Sequence, residues 1–412
     1  MNIFLKKTAA GGLSFLFLML NGVPFSENAD ISARAEQSGA VTDMVFGAAQ
    51  LDSFETNGRE TDDDPSYFMD YSDIDEAVGE MTESDISFSQ LVGRLLSGEM
   101  DFSLKSIASW TLKKIFDEVV KNRSMMLQMA AIAVIGAAFT GLSEAFSGKY
   151  AAETGFYLTY MLMFSLLGAS FAVTADIAVK TADRLIRLMQ VIVPAFCTAV
   201  TLALGVTTSH AWYQLLMMLV VAVDWVMAGF LMRFIKIYVV LSMVNQMTGE
   251  DYFSKMGELF KTAVEWSLRA ILGVTLGLNL IQNMVLPAFD SVKNGVMTKV
   301  SAVLPGVGDA LGAAAKAAIG SGVLLKNAVG TAGVIVIIVV CALPLIQLLA
   351  VALMYKILEV LIQPISDQRL TSCVHAAGDG VMLLLKTCSA VILLFVISLA
   401  MMTLSSNTAL SA

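Results

Sequence analysis

A chain of 412 residues that is 57% apolar and only 15% charged carries too little charge for a soluble protein, where about a quarter of residues are charged. The surplus apolar surface has to face lipid, and several apolar runs after residue 124 are long enough to cross a bilayer. The net charge of −9 is uneven: residues 27–101 hold 19 acidic side chains against Arg34, Arg59 and Arg94, so that segment lacks the clustered basic face that nucleic acid requires.

The N-terminus has Lys6 and Lys7, an apolar stretch from Thr8 to Leu20, and then Ala33-Arg34-Ala35. This is the pattern of a secretory signal peptide over residues 1–35, with Ala29 as a competing cleavage site and an uncleaved anchor as the other reading. Either way the next segment is expected outside the cytoplasm. Residues 36–101 form that acidic exported segment, whose Thr61-Asp62-Asp63-Asp64-Pro65 and Asp70-Tyr71-Ser72-Asp73 stretches favour an extended or only locally folded chain. It reads as a solvated spacer or as a docking strip for a partner.

Residues 102–124 change character. Leu104, Ile107, Ala108, Leu112, Ile115, Phe116, Val119 and Val120 recur at three and four residues, opposite Lys105, Lys113, Lys114 and Lys121. This is an amphipathic helix. It suits a helix lying on the bilayer before the first span, and packing against the protein's own helices explains the same stripe.

Residues 125–404 are expected to form a multi-pass transmembrane domain. Seven segments are long enough to span: 125–143, 156–175, 188–208, 212–232, 268–288, 329–354 and 381–404; 234–247 and 303–325 are ambiguous. A very short link at 208–211 predicts a tight helical hairpin between the third and fourth, and residues 405–412 are a short tail. The fold class is therefore all-α, a polytopic helix bundle in the membrane.

The small-residue segment 303–325 is expected to be a hairpin in which Gly308, Gly312, Lys316 and Gly320 fall four apart on one helical face, with Asp309 two turns before Lys316. Small residues at that spacing let helices approach closely, and charges there must face protein or water. The segment reads as a packing element or as a pore lining. Asp224, in the middle of the fourth span, reads as a structural pin or as a cation or proton partner in a transporter. Gly273 and Gly277 form a GxxxG, and Pro194 and Pro344 interrupt two spans.

Cys197, Cys341, Cys373 and Cys388 include no C-x-x-C pair, and His210 and His375 are the only histidines, so no disulfide framework, metal site or cofactor site is expected. No phosphate-binding loop, nucleophile elbow or zinc-protease motif occurs, and no catalytic role is assigned.

Three stretches carry a family resemblance: Gly98-Glu99 followed by Phe102-Ser103, Glu118-Val119 and Asn122; Pro305 and Gly308 followed by Leu324-Leu325-Lys326-Asn327-Ala328-Val329-Gly330; and Tyr355-Lys356 with Gln363-Pro364. On these the chain resembles the stage III sporulation protein AE family of spore-forming Firmicutes over nearly its whole length. It departs from the family at Ala313, Ala314 and Lys316, where more polar, acidic residues are usual. The resemblance implies a non-enzymatic subunit of the secretion-like channel complex that joins mother cell and forespore, needed for late forespore gene expression. It also implies other membrane subunits as partners and a place in the mother-cell membrane that engulfs the forespore. Self-association through small-residue helix faces is a further expectation, and the rival reading is a secondary transporter of unknown substrate.

Overall fold

The computed structural model describes residues 71–81, 87–97, 104–145, 149–204, 206–248, 252–301 and 308–405. The chain divides into two units, residues 1–63 and 64–412, and every described residue lies in the second. The signal-peptide reading of 1–35 and most of the acidic segment fall outside the described residues.

All regular structure among the described residues is helical: α1 Ser72–Met81, α2 Phe88–Ser97, α3 Leu104–Lys121, α4 Arg123–Ala145, α5 Lys149–Leu204, α6 Val206–Val226, α7 Met232–Thr248, α8 Ser254–Ser301, α9 Gly308–Ile362 and α10 Gln368–Ser405. A π-helical turn, Met227–Leu231, joins α6 to α7. Five stretches are long and apolar enough to cross a membrane: Tyr157–Thr201, Ser209–Gln246, Ser254–Ile281, Gly320–Ile362 and Gln368–Leu404.

These five are counted among the described residues only, where the expected 125–143 span is covered as the apolar helix Arg123–Ala138, and two of the other expected runs merge because helices propagate wherever nothing stops them. The runs at 156–175 and 188–208 lie on the single helix α5, since the connecting residues 176–187 hold no Gly or Pro and Asp176 pairs with Lys180 at 2.7 Å, one turn apart. α5 ends at Leu204 and α6 begins at Val206, ahead of the expected 208–211 link, and Ser209 Oγ donates to the Cys197 carbonyl at 2.6 Å. The ambiguous 234–247 run continues the fourth span through the π turn, where the Met232 N–H bonds the Met227 carbonyl five residues back. Residues 308–325 of the expected hairpin are helical and run without a break into the apolar segment that ends at Ile362, and its residues 303–307 lie outside the described residues.

Helix ends follow local chemistry. α9 stops at Ile362 because Gln363 precedes Pro364, which disfavours the helical conformation in the residue before it. α10 starts after Asp367, whose carboxylate caps the Arg369 N–H at 2.8 Å. Ser87 and Gln90 stand as a capping box at the start of α2, with Ser87 Oγ accepting from the Gln90 N–H at 3.4 Å. Asp75 on α1 accepts from the Ser87 hydroxyl and from the Phe88 and Ser89 amides, so the two short helices hold each other. Ser72–Met81 and Phe88–Ser97, inside the segment read as extended or only locally folded, thus form a helical pair that buries Tyr71, Ile74, Val78, Phe88 and Val92 against α5 and α9.

α10 is the centre of the bundle: it packs on α5, α7, α8 and α9 and is the most buried of the five long helices. Large apolar side chains on the outer helix faces, Met218, Val221, Trp225, Trp266, Val274 and Ile281, are exposed, as lipid-facing residues should be. Hydroxyls inside the helices bond back to their own chain: Thr159, Thr174, Thr387 and Thr403 donate to carbonyls four residues earlier, which satisfies these four hydroxyls without water.

Among the described residues, close approaches fall at glycines other than Gly273, Gly277 and Gly320. A Cβ on Gly380 would collide with Val239 and Phe171, and one on Gly330 with Thr403 and Phe196, whereas at Gly273, Gly277 and Gly320 it meets open space. Gly380→Val and Gly330→Val are therefore expected to cost about 1 to 3 kcal/mol each through overpacking, while Gly320→Leu leaves stability unchanged. Heating the detergent-purified protein with a thiol-reactive dye reads this directly, because all four cysteines are buried and free until it unfolds. A lowered midpoint for Gly320→Leu alone would refute the assignment.

Candidate functional site

Charged side chains on three apolar helices converge near the α9–α10 turn. Asp379 on α10 receives Lys261 Nζ of α8 at 3.0 Å and Lys356 Nζ of α9 at 3.4 Å. Lys356 also reaches Glu359 at 3.3 Å, and Glu359 meets His375 Nδ1 at 2.8 Å. The other ring nitrogen of His375 lies 3.7 Å from Asp379, closing a loop of four residues to which Lys261 is attached through Asp379. Lys261 stands over the ring of Tyr238 on α7, 5.8 Å from its centroid, which brings in a fourth helix. Two turns further along α10, Lys386 pairs with Glu265 of α8 at 3.1 Å, and Glu265 also holds Arg269 at 3.7 Å.

The Asp379 side chain is only 21% exposed, so its carboxylate has lost most of its hydration and depends on the two ammonium groups. The cluster neutralises itself across helices that are distant in sequence. Chemically it is an electrostatic clasp, and among the described residues no set of three or more His, Cys, Asp or Glu side chains is arranged to hold a metal ion.

A second polar tie grips the opposite end of α10. Lys326 of α9 is fully buried and donates to the Thr403 carbonyl at 2.9 Å. That carbonyl belongs to the last turn of α10, where four carbonyls lack helical partners and the helix dipole favours a cation. One turn on, Gly330 admits Thr403 and Phe196 against the α9 backbone. Between the two ends, Asn279 Nδ2 donates to Ser398 Oγ at 3.2 Å, and Tyr355 Oη donates to Ser170 Oγ at 2.6 Å.

The residues singled out from sequence distribute unevenly. Lys326 and Asn327 lie at this second tie, and Gln363 and Pro364 form the exposed α9–α10 turn beside the clasp. Gly308, Asp309, Gly312 and Lys316 occupy the first turns of α9, and their side chains lie outside the described residues, as do Gly98, Glu99, Phe102 and Pro305 altogether. Gly320 is half-buried with open space before it. Asp224 is half-buried one turn ahead of the π segment, and no partner holds it among the described residues. The nearby crevice is lined by Val223, Met227, Leu231, Leu268, Leu272 and Leu394 and their apolar neighbours, without Asp224.

Sequence reasoning missed Lys261, Glu359, His375 and Asp379. Each looks like an isolated charge near a span end, and only the turn at 363–367 hinted that 356–359 and 375–379 would face one another.

The helices that build both ties coincide with a family match: residues 86–406 match the family described as Stage III sporulation protein AE. The chain belongs to the stage III sporulation protein AE family. It is 21% identical, over 317 residues, to the Stage III sporulation protein AE of Bacillus subtilis (strain 168), covering 76% of this chain and 78% of that one. No solved structure matches. With its five membrane-length helices, this member of the family is a multi-pass membrane protein of sporulation.

Replacing Asp379 by Asn takes the carboxylate partner from Lys261 and leaves Lys356 with Glu359 alone. The expected loss is about 1 to 3 kcal/mol, between the ~0 to 1 of a solvated pair and the ~3 to 5 of a fully buried one. Lys261→Met alone should cost less than Asp379→Asn, and a double-mutant cycle in the thermal assay should give a coupling well above the scatter of the assay. Additive losses would rule out the clasp.

Proposed function

We propose that this protein is a non-enzymatic membrane component of the secretion-like channel complex that links mother cell and forespore during sporulation, and that late forespore gene expression depends on it. It is placed in the mother-cell membrane that engulfs the forespore, with the N-terminal segment exported into the space between the two membranes. The observation that carries this reading is the extent of the family match, which runs from α2 through α10 and includes both polar ties.

The structural character supports a platform. α5, α9 and α10, at 56, 55 and 38 residues, would each measure well over the ~30 Å of a hydrocarbon core at about 1.5 Å per residue. Helices of that length, clasped near both ends of α10, hold a fixed shape beyond the bilayer against which other subunits can assemble. The small-residue face of Gly308, Gly312 and Gly320 fits contact with such a subunit, since Gly320 is open within this chain. The secondary-transporter reading draws no support from the crevice beside the π turn, which is lined by apolar side chains.

Deleting the gene should leave cells arrested in sporulation, read as loss of heat-resistant spores that the wild-type gene restores. Normal spore counts from the deletion would overturn the proposal. A reporter active only outside the cytoplasm, fused at about residue 80, should be active; a stable but silent fusion would place the segment on the other side.

A further inference from the structure

The outer surface of α3 is divided three ways. Thr111, Ile115, Glu118 and Val119 are half-buried, and α3 packs on α9. Leu112, Phe116 and Val120 are apolar yet 68%, 71% and 44% exposed. Lys113, Lys114, Asp117 and Lys121 are exposed and charged, with Lys121 within 3.7 Å of Glu118. At about 100° per residue these sets occupy three successive arcs, one toward the bundle, one apolar and free, one charged and free.

We propose that α3 lies in the plane of the membrane interface, its Leu112–Phe116–Val120 arc sunk into the acyl boundary of the same bilayer that holds the spans. A helix running along the bilayer normal cannot keep one whole arc in lipid and the next in water. Lys113 and Asp117 would then be dragged through hydrocarbon. A helix in the interface plane satisfies all three arcs at once: apolar side chains downward, charged ones toward headgroups and water, and the remaining side against α9. The lysines outnumber the acids on this stretch and can extend their ammonium groups to anionic lipid phosphates.

Continuity with the membrane domain supports lipid as the occupant. α3 leads through one residue, Asn122, into α4, whose Leu127, Val134 and Ile135 are likewise exposed apolar residues. The Asn122 N–H bonds the Glu118 carbonyl at 3.2 Å and its side-chain amide donates to the same oxygen at 3.0 Å, fixing the junction where the chain enters the apolar helix.

The test uses the full chain reconstituted in vesicles of phosphatidylethanolamine and phosphatidylglycerol. Single cysteines replace Leu112, Phe116, Val120, Lys113, Asp117 and Lys121 in turn and carry a nitroxide; the native cysteines are buried, and unsubstituted protein gives the labelling background. Collision with oxygen and with a water-soluble nickel chelate reports lipid and water. Labels at 112, 116 and 120 are expected to favour oxygen at one common shallow depth, and those at 113, 117 and 121 to favour nickel. A depth gradient of about 12 Å from 112 to 120, eight residues at 1.5 Å each, would mean a helix along the normal and overturn the proposal. Nickel access at all six would mean a solvated helix, and shielding of 116 from both reagents would mean a protein partner; either result also overturns it.

Discussion

Asp379 is the point on which the bundle turns. Two lysines on two helices far apart in sequence approach it, and without its carboxylate Lys261 and Lys356 would be like charges brought together with only Glu359 beside Lys356 to balance them. The acid therefore sets which faces of α8, α9 and α10 meet. Glu359 and His375 extend the pairing around the α9–α10 turn, and the Tyr238 ring carries it to α7.

Most of the remaining architecture follows from having one helix, α10, held at both ends. At its start the clasp fixes rotation about its axis. At its end Lys326 occupies the carbonyl terminus of the helix, a place where a buried ammonium is stabilised by backbone partial charge instead of a carboxylate. Glycines at 330 and 380 let α9 and α7 close upon neighbours near these same two ends, so electrostatic specification and close packing coincide.

Departures from regular helix geometry sit where long helices need them. Pro194 and Pro344 lie inside α5 and α9, and each removes a backbone N–H from the hydrogen-bond ladder of its helix. The π turn at Met227–Leu231 inserts one residue into an otherwise continuous α6–α7 path, which rotates the side chains of α7 relative to those of α6. That rotation is compatible with Val223 packing toward α8 and α10 while Tyr238 reaches Lys261.

By itself the sequence determined that the chain is helical, membrane-embedded and a member of its family, because hydropathy, length and the Leu-Leu-Lys-Asn and Gln-Pro motifs are local properties. Those motifs mark the two ends of α10, and their physical reason was not legible: Lys326 needs Thr403, and Lys356 needs Asp379, partners 77 and 23 residues away. Span counting from apolar runs separated 156–175 from 188–208, since a charged interval resembles a loop in hydropathy; backbone propagation joined them, because Asp176 and Lys180 satisfy each other on one turn. Gly320 stood out by spacing and meets open space, while Gly330 and Gly380, which lack that spacing, make close approaches. Spacing along one helix states which residues share a face. Only the tertiary structure decides what that face meets, since that depends on the rotation and height of a second helix, which no local pattern encodes.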